Sequence, residues 1–178
     1  IKHINQDWSN GIFDAVLPLF RETLFWVPLY FFLLLYALLN FKTKGYWWIL
    51  GGVLTAAISD LLSSHLIKEN IFRLRPCQNP EVAPYLRFFI NYCPQSSSFT
   101  SSHATTYFAQ AVFFYLTLKP VQPKSWIFFI WAGLISYTQV YVGVHYPFDV
   151  LCGALLGCMI GWSISRLFQQ QIGTLAVS

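Results

Sequence analysis

The chain has 178 residues and a formal charge of +4; 56% of it is hydrophobic and only 10% is charged, against roughly 25% charged in soluble proteins. So little polar surface excludes a soluble domain of this size, and the few scattered cations give no support to a nucleic-acid partner. Phe, Trp and Tyr make up 19%, which suits lipid contact and interfacial belts.

The expectation is one membrane-embedded unit over 1–178, an all-α polytopic bundle of about five transmembrane helices plus an N-terminal interfacial helix. Residues 1–20 set Ile4, Trp8, Ile12, Phe13, Val16 and Leu17 among polar neighbours. This is an amphipathic pattern, broken by Gly11 and ended by Pro18, expected to lie at the membrane surface. Arg21 and Glu22 then mark the interface. The first span is expected at about 24–40, near the lower limit of about 17 residues for crossing hydrocarbon. Residues 41–45 form a short turn, and the second span, about 46–66, contains Asp60 and His65. Residues 67–102 hold Pro76, Pro80, Pro84 and Pro94 and are too irregular to lie in lipid unless protein covers them. Three more spans follow at about 103–118, 125–141 and 147–167.

Lysines and arginines divide about evenly between the two faces, so the positive-inside rule does not orient the chain. No cleavable signal peptide, internal repeat or low-complexity tract is expected. Cys77 and Cys93 bracket the polar loop, and a disulfide between them would place it in an oxidising compartment. Cys152 and Cys158 lie in an apolar span, where packing is the expected role.

Three clusters fall on the face that carries the 67–102 loop. Lys68 ends a span and Arg75 follows seven residues later; two such cations either snorkel to headgroups or hold an anion between them. Ser96 to Ser102 precede His103 at the start of the third span. The serines suit helix caps, and a helix N-terminus also attracts phosphate. His103 there could protonate a departing oxygen. Last, Pro147 suits a first helical turn, so His145 stands at a helix entrance with Asp149 four residues on, on the same side. A carboxylate there can accept the imidazole Nδ1–H and leave Nε2 free to attack; the alternative is a simple capping pair.

Together these clusters resemble the type 2 phosphatidic acid phosphatase family, whose pattern is K-x6-R-P, then P-S-G-H, then S-R-x5-H-x3-D. Lys68, Arg75 and Pro76 match the first motif in full. Ser101 and His103 match the second, with Thr100 in place of Pro and Ser102 in place of Gly. His145 and Asp149 match the third, with Thr138 for Ser and Gln139 for Arg. The resemblance spans about residues 46–167. It implies a membrane lipid phosphatase with His145 as nucleophile, Asp149 orienting it and His103 as acid. Lys68, Arg75, Ser101, Ser102 and Gln139 would hold the phosphoryl group.

The resemblance also implies no metal and no cofactor, and the acidic residues are too sparse for a two-metal phosphatase site. Gln139 brings a neutral amide where the family has a cation, and Arg73 or Arg87 of the loop offers a replacement. The expected substrate is a lipid phosphate, first an isoprenoid diphosphate such as undecaprenyl diphosphate, then phosphatidic acid, phosphatidylglycerophosphate or lipid A. The expected place is a bacterial inner membrane with the site facing the periplasm or exterior. No obligatory protein partner is expected. A non-catalytic lipid-phosphate binder or transporter is the reading from a different class.

Overall fold

The computed structural model describes residues 1–89 and 92–176. After a π-helical turn at His3–Asp7 come α1 (Gly11–Arg21), a 3-10 lead-in at Thr23–Trp26 and α2 (Val27–Asn40). Next is a long rod made of α3 (Lys42–Asp60), a π-helical segment (Leu61–Ile67) and a last turn α4 (Lys68–Asn70). A loop with two short 3-10 turns leads to α5 (Ser102–Leu118). A 3-10 turn at Pro123–Trp126 opens α6 (Ile127–Tyr141), and α7 (Pro147–Gln171) closes the bundle. No strand occurs among the described residues.

Thr23–Asn40, Lys42–Asn70 and Pro147–Gln171 are each long and apolar enough to cross a membrane. The other two expected spans are α5 and α6, of 17 and 15 residues. At 1.5 Å per residue, α5 extends about 25 Å. It can be short and partly polar because it is the inner helix, packed by α3, α6 and α7. Its polar groups are matched inside the bundle: Tyr30 Oη donates to Gln110 Oε1 (2.6 Å) and Trp48 Nε1 donates to Thr117 Oγ1 (2.8 Å). Such pairings spare a polar atom the cost of facing hydrocarbon alone. Outward-facing Phe31, Phe32, Val53, Leu155, Met159 and Trp162 are exposed, as a lipid-facing rim requires.

Three element boundaries differ from expectation. Gly11 does not break a helix; it begins one, because the Asn10 side chain accepts from the Ile12 and Phe13 amides and caps α1. Pro18 does not end α1, which runs on to Arg21. The turn at 41–45 shrinks to Phe41, and Lys42, with φ of +47°, already opens α3.

α5 and α7 lie closest together. A Cβ on Gly157 would come within 2.2 Å of the Thr105 carbonyl oxygen, and one on Gly161 within 2.3 Å of that of Ala109. The two helices therefore touch backbone to backbone, the small-residue packing available in lipid. Gly157→Ala should force them apart, at a cost of about 1–3 kcal/mol or more for overpacking. Because α5 carries His103 and α7 carries Asp149, activity should fall with stability. Gly133→Ala, where nothing lies within 4 Å of the new methyl, is the control. Thermal unfolding in detergent compares the two.

Candidate active site

Each candidate side chain reaches one end of the bundle because a helix starts or stops there. α4 ends at Asn70 just beyond Lys68, α5 begins at Ser102, α6 stops at Tyr141 and α7 starts at Pro147. The connection between α6 and α7 is tight. Gly143 takes φ of +78°, a conformation glycine adopts without steric cost, and the amides of Val144 and His145 both donate to the Gln139 carbonyl (3.2 and 3.1 Å). The described residues of the loop before α5 fold over the same end, with a Cys77–Cys93 disulfide whose Cα atoms are 6.0 Å apart.

There a cavity of about 290 Å³ is lined by Lys68, Arg75, His103, His145, Ser102 and Gln139. The two histidines, three chain segments apart, thus share one chamber. Arg21, Tyr92, Asp60 and Ser64 also reach it.

His145 is buried. Its Nε2 lies 3.1 Å from Arg75 Nη1, and its Nδ1 lies 3.4 Å from Ser98 Oγ. An arginine can only donate, so Nε2 is the acceptor nitrogen and Nδ1 carries the proton. The carboxylate is not where the spacing put it. Asp149 Oδ2 is 3.9 Å from Nδ1, too far for a hydrogen bond, and the Ser98 hydroxyl stands between, donating to Oδ2 at 2.5 Å. The link runs His145, Ser98, Asp149. Asp149 is held by Arg73 Nη1 on Oδ1 (2.5 Å) and by the Tyr146 amide on Oδ2 (3.1 Å). The capping role is therefore real as well: Asp149 closes the first turn of its own helix while facing Ser98.

Arg75 has all five donors engaged: Nε on the Ser96 carbonyl, Nη1 on the Val144 carbonyl and His145 Nε2, Nη2 on Ser96 Oγ and the Ser97 carbonyl. Burial, then the nearby Arg21 cation, depresses its pKa to about 10, so it is charged at neutral pH.

Two of the expected phosphate ligands behave otherwise. Ser101 is buried and caps α5, its Oγ accepting from the Ala104 amide, and it does not line the cavity; a capping hydroxyl turned along its helix is occupied. Ser102 does line it, paired with Ser64 Oγ at 2.9 Å. Gln139 lines it too, but its Nε2 donates back to the Ile135 carbonyl (3.3 Å), and its Oε1 has no partner among the described residues. Neither proposed replacement cation reaches the chamber: Arg73 is committed to Asp149, and Arg87 to Asp14 (2.8 Å). His65 pairs with Glu69 at the surface.

Burial pushes the His145 pKa down to about 3; the Asp149 carboxylate opposes this, and the Arg75 and Lys68 cations add to it. The imidazole is therefore neutral in the folded protein near pH 7, as a nucleophile must be. In the unfolded chain it takes up a proton near pH 6.5. Stability from this group is complete above that pH and is lost as pH falls toward 3, since the unfolded state then binds the extra proton. The melting temperature in detergent should drop between pH 6.5 and 4, and His145→Asn should flatten that slope.

Sequence reasoning missed the roles of Ser98 and Arg21, and it gave Arg73 to the phosphoryl group where the structure pairs it with Asp149. Ser98 hid in a run of serines, any of which could cap a helix. Arg21 carried a usable signal, since it falls four residues after Leu17 on the inward side of α1, and both are buried.

Residues 45–172 match the PAP2 superfamily. A lipid A 4'-phosphatase of Bacteroides thetaiotaomicron is 31% identical over 163 residues, covering 86% of this chain and 70% of that protein. An undecaprenyl-diphosphatase of Sulfolobus acidocaldarius is 45% identical over 71 residues, 39% of this chain and 32% of the relative. Among solved structures, Aquifex aeolicus LpxE superposes with a TM-score of 0.70 at 21% identity, covering 93% of this chain and 92% of that one. A Bacillus subtilis transmembrane PAP2-type phosphatidylglycerolphosphate phosphatase gives 0.69 at 23%, covering 96% and 85%. At such identities the structures establish a shared fold.

Proposed function

Because this integral membrane protein belongs to the PAP2 superfamily, we propose that it hydrolyses a lipid phosphate through a phosphohistidine on His145, and that the lipid is of the lipid A type. The observation that carries the reading is His145 in a cation-lined cavity, with Arg75 bonded at its Nε2 and its Nδ1 linked through Ser98 to Asp149.

In the first step Nε2 attacks phosphorus. The bond from phosphorus to the lipid oxygen breaks, and His103, in the imidazolium form that a bound phosphate anion favours, gives that oxygen a proton and releases the lipid alcohol. In the second step water attacks the phosphohistidine, His103 takes the water proton, and the N–P bond breaks to give phosphate. Asp149, acting through Ser98, favours the imidazolium-like charge that grows on His145 as the N–P bond forms. Lys68 and Arg75 offset the phosphoryl charge. Arg75 would pass its Nη1 hydrogen from Nε2 to a phosphoryl oxygen as the substrate enters.

Two further spaces favour a glycolipid. A groove of about 500 Å³ shares Asp60, Ser102 and His103 with the catalytic cavity and sets Thr23 and Thr106, suited to sugar hydroxyls, in a mainly apolar lining of Tyr30, Ala56, Ala57 and Tyr107. It shares Tyr30, Ala56 and Gln110 with an apolar cleft of about 480 Å³ between α2, α3 and α5, suited to an acyl chain. The lipid A 4'-phosphatase relative is matched over most of its length, which points the same way.

Undecaprenyl diphosphate is the second reading, favoured by the 45% identity within the shorter match. A phosphate-release panel over lipid A phosphates, undecaprenyl diphosphate, phosphatidic acid and phosphatidylglycerophosphate, without added metal, tests the choice. The highest kcat/KM should fall on lipid A phosphates, and a tenfold preference for the polyprenyl diphosphate would reverse the order. The Cys77–Cys93 bond at the site's end of the bundle supports a periplasmic or exterior orientation in the cytoplasmic membrane.

A further inference from the structure

The cavity needs positive charge, and its motif arginine does not supply it freely. Arg75 has no spare donor, and position 139 holds an amide turned toward its own helix. A second lining arginine is different. Arg21 is only 7% exposed, yet its Nε and Nη1 find no hydrogen-bond partner among the described residues. Its Nη2 reaches the Tyr92 hydroxyl at a long 3.4 Å, and the guanidinium lies over the Tyr92 ring, 5.5 Å from its centre. A buried guanidinium with unused donors is unfavourable unless an anion joins it, and this one lines the chamber beside Lys68, Arg75 and both histidines.

Nor is its position accidental to a loose terminus. α1 packs on α6, and Asp14 ties it to Arg87 and to the Tyr141 hydroxyl. Asn5, fully buried, bonds the Tyr141 and Arg87 carbonyls and the Arg87 amide. The His103 ring also interacts with the Arg21 backbone. The N-terminal helix therefore delivers its last residue into the site as a fixed part.

We propose that Arg21 is a phosphoryl-binding residue, bringing from α1 the cation that Gln139 does not provide. The assignment rests on the lipid-phosphate reading for its role in turnover, though not for anion binding itself. Its planar fork would meet two phosphoryl oxygens, a geometry a single lysine ammonium does not reproduce.

The test uses the full chain in detergent, with inorganic phosphate as the binding probe and lipid-phosphate hydrolysis as the second readout. Arg21→Met, which keeps the apolar stem, should weaken phosphate binding and lower kcat/KM by about 10- to 100-fold, the scale of one charge-assisted hydrogen bond. Arg21→Lys should recover part of that, and adding Gln139→Arg to Arg21→Met should recover more. Arg87→Ala removes a tie between α1 and the loop without touching the cavity, and should leave phosphate affinity unchanged. The proposal is overturned if Arg21→Met binds phosphate within twofold of the parent, or if Arg87→Ala weakens binding as much as Arg21→Met does. A parent protein that binds phosphate but releases none from any lipid would sink the hydrolysis reading alone, and phosphate affinity across the same variants would still decide Arg21.

Discussion

His145→Ala is expected to reduce phosphate release by at least ~10⁴-fold, the scale of losing a nucleophile, while lipid binding changes by only a fewfold. The separation follows from the geometry. His145 lines the cavity and accepts at Nε2 from Arg75. Phosphate recognition belongs to other side chains, so the mutant should still bind. The fold should survive as well, because Arg75 keeps its bonds to the Ser96, Ser97 and Val144 carbonyls after the imidazole is gone. The measurements are phosphate release from detergent-solubilised protein and trapping of an acid-labile phosphoenzyme, present in the parent and absent in the variant. Turnover within tenfold of the parent would remove His145 from the chemistry.

Much of this site could be read from spacing because its residues sit at helix ends. Lys68 and Arg75 bracket the end of a rod, His103 follows a serine cap, and His145 and Asp149 straddle a proline that starts a helix. Helix ends are legible since their caps, prolines and glycines obey local rules. What was not legible depended on the loop and the N-terminal helix folding back over the bundle. Nothing local distinguishes Ser98, which bonds Asp149, from Ser97, which bonds the Ile71 and Phe99 carbonyls. Arg73 looked like a spare cation until the fold brought it to Asp149, stacked 4.4 Å over the Tyr146 ring. The rim spans were legible because their outer faces must be apolar, though two of the helices run past the expected ends, to Asn70 and Gln171. The end of α1 was not, because Pro18 usually stops a helix and here does not.

Asp149→Asn and Ser98→Ala together ask whether the serine relays the carboxylate's influence. In the parent, both carboxylate oxygens accept: Oδ1 from Arg73, Oδ2 from Ser98 and the Tyr146 amide. Asparagine has one acceptor oxygen, so its amide group must face donors on one side. Turned toward Ser98, it would reverse that hydroxyl, which would then donate to Nδ1 and move the imidazole proton to Nε2, removing the attacking lone pair. Turned toward Arg73, it would keep the tautomer and still remove the charge that steadies the developing imidazolium. Either way kcat should fall about 10³- to 10⁴-fold, the scale of amidating an orienting carboxylate. Ser98→Ala keeps the carboxylate and breaks only the bridge across 3.9 Å, so its loss should be smaller, about 10- to 100-fold in kcat with KM little changed. Ser98→Thr, which restores the hydroxyl, should regain part of that loss. Should Ser98→Ala turn over at the parent's rate, His145 must reach Asp149 directly in the substrate complex, and the serine is then only a spacer in the empty site.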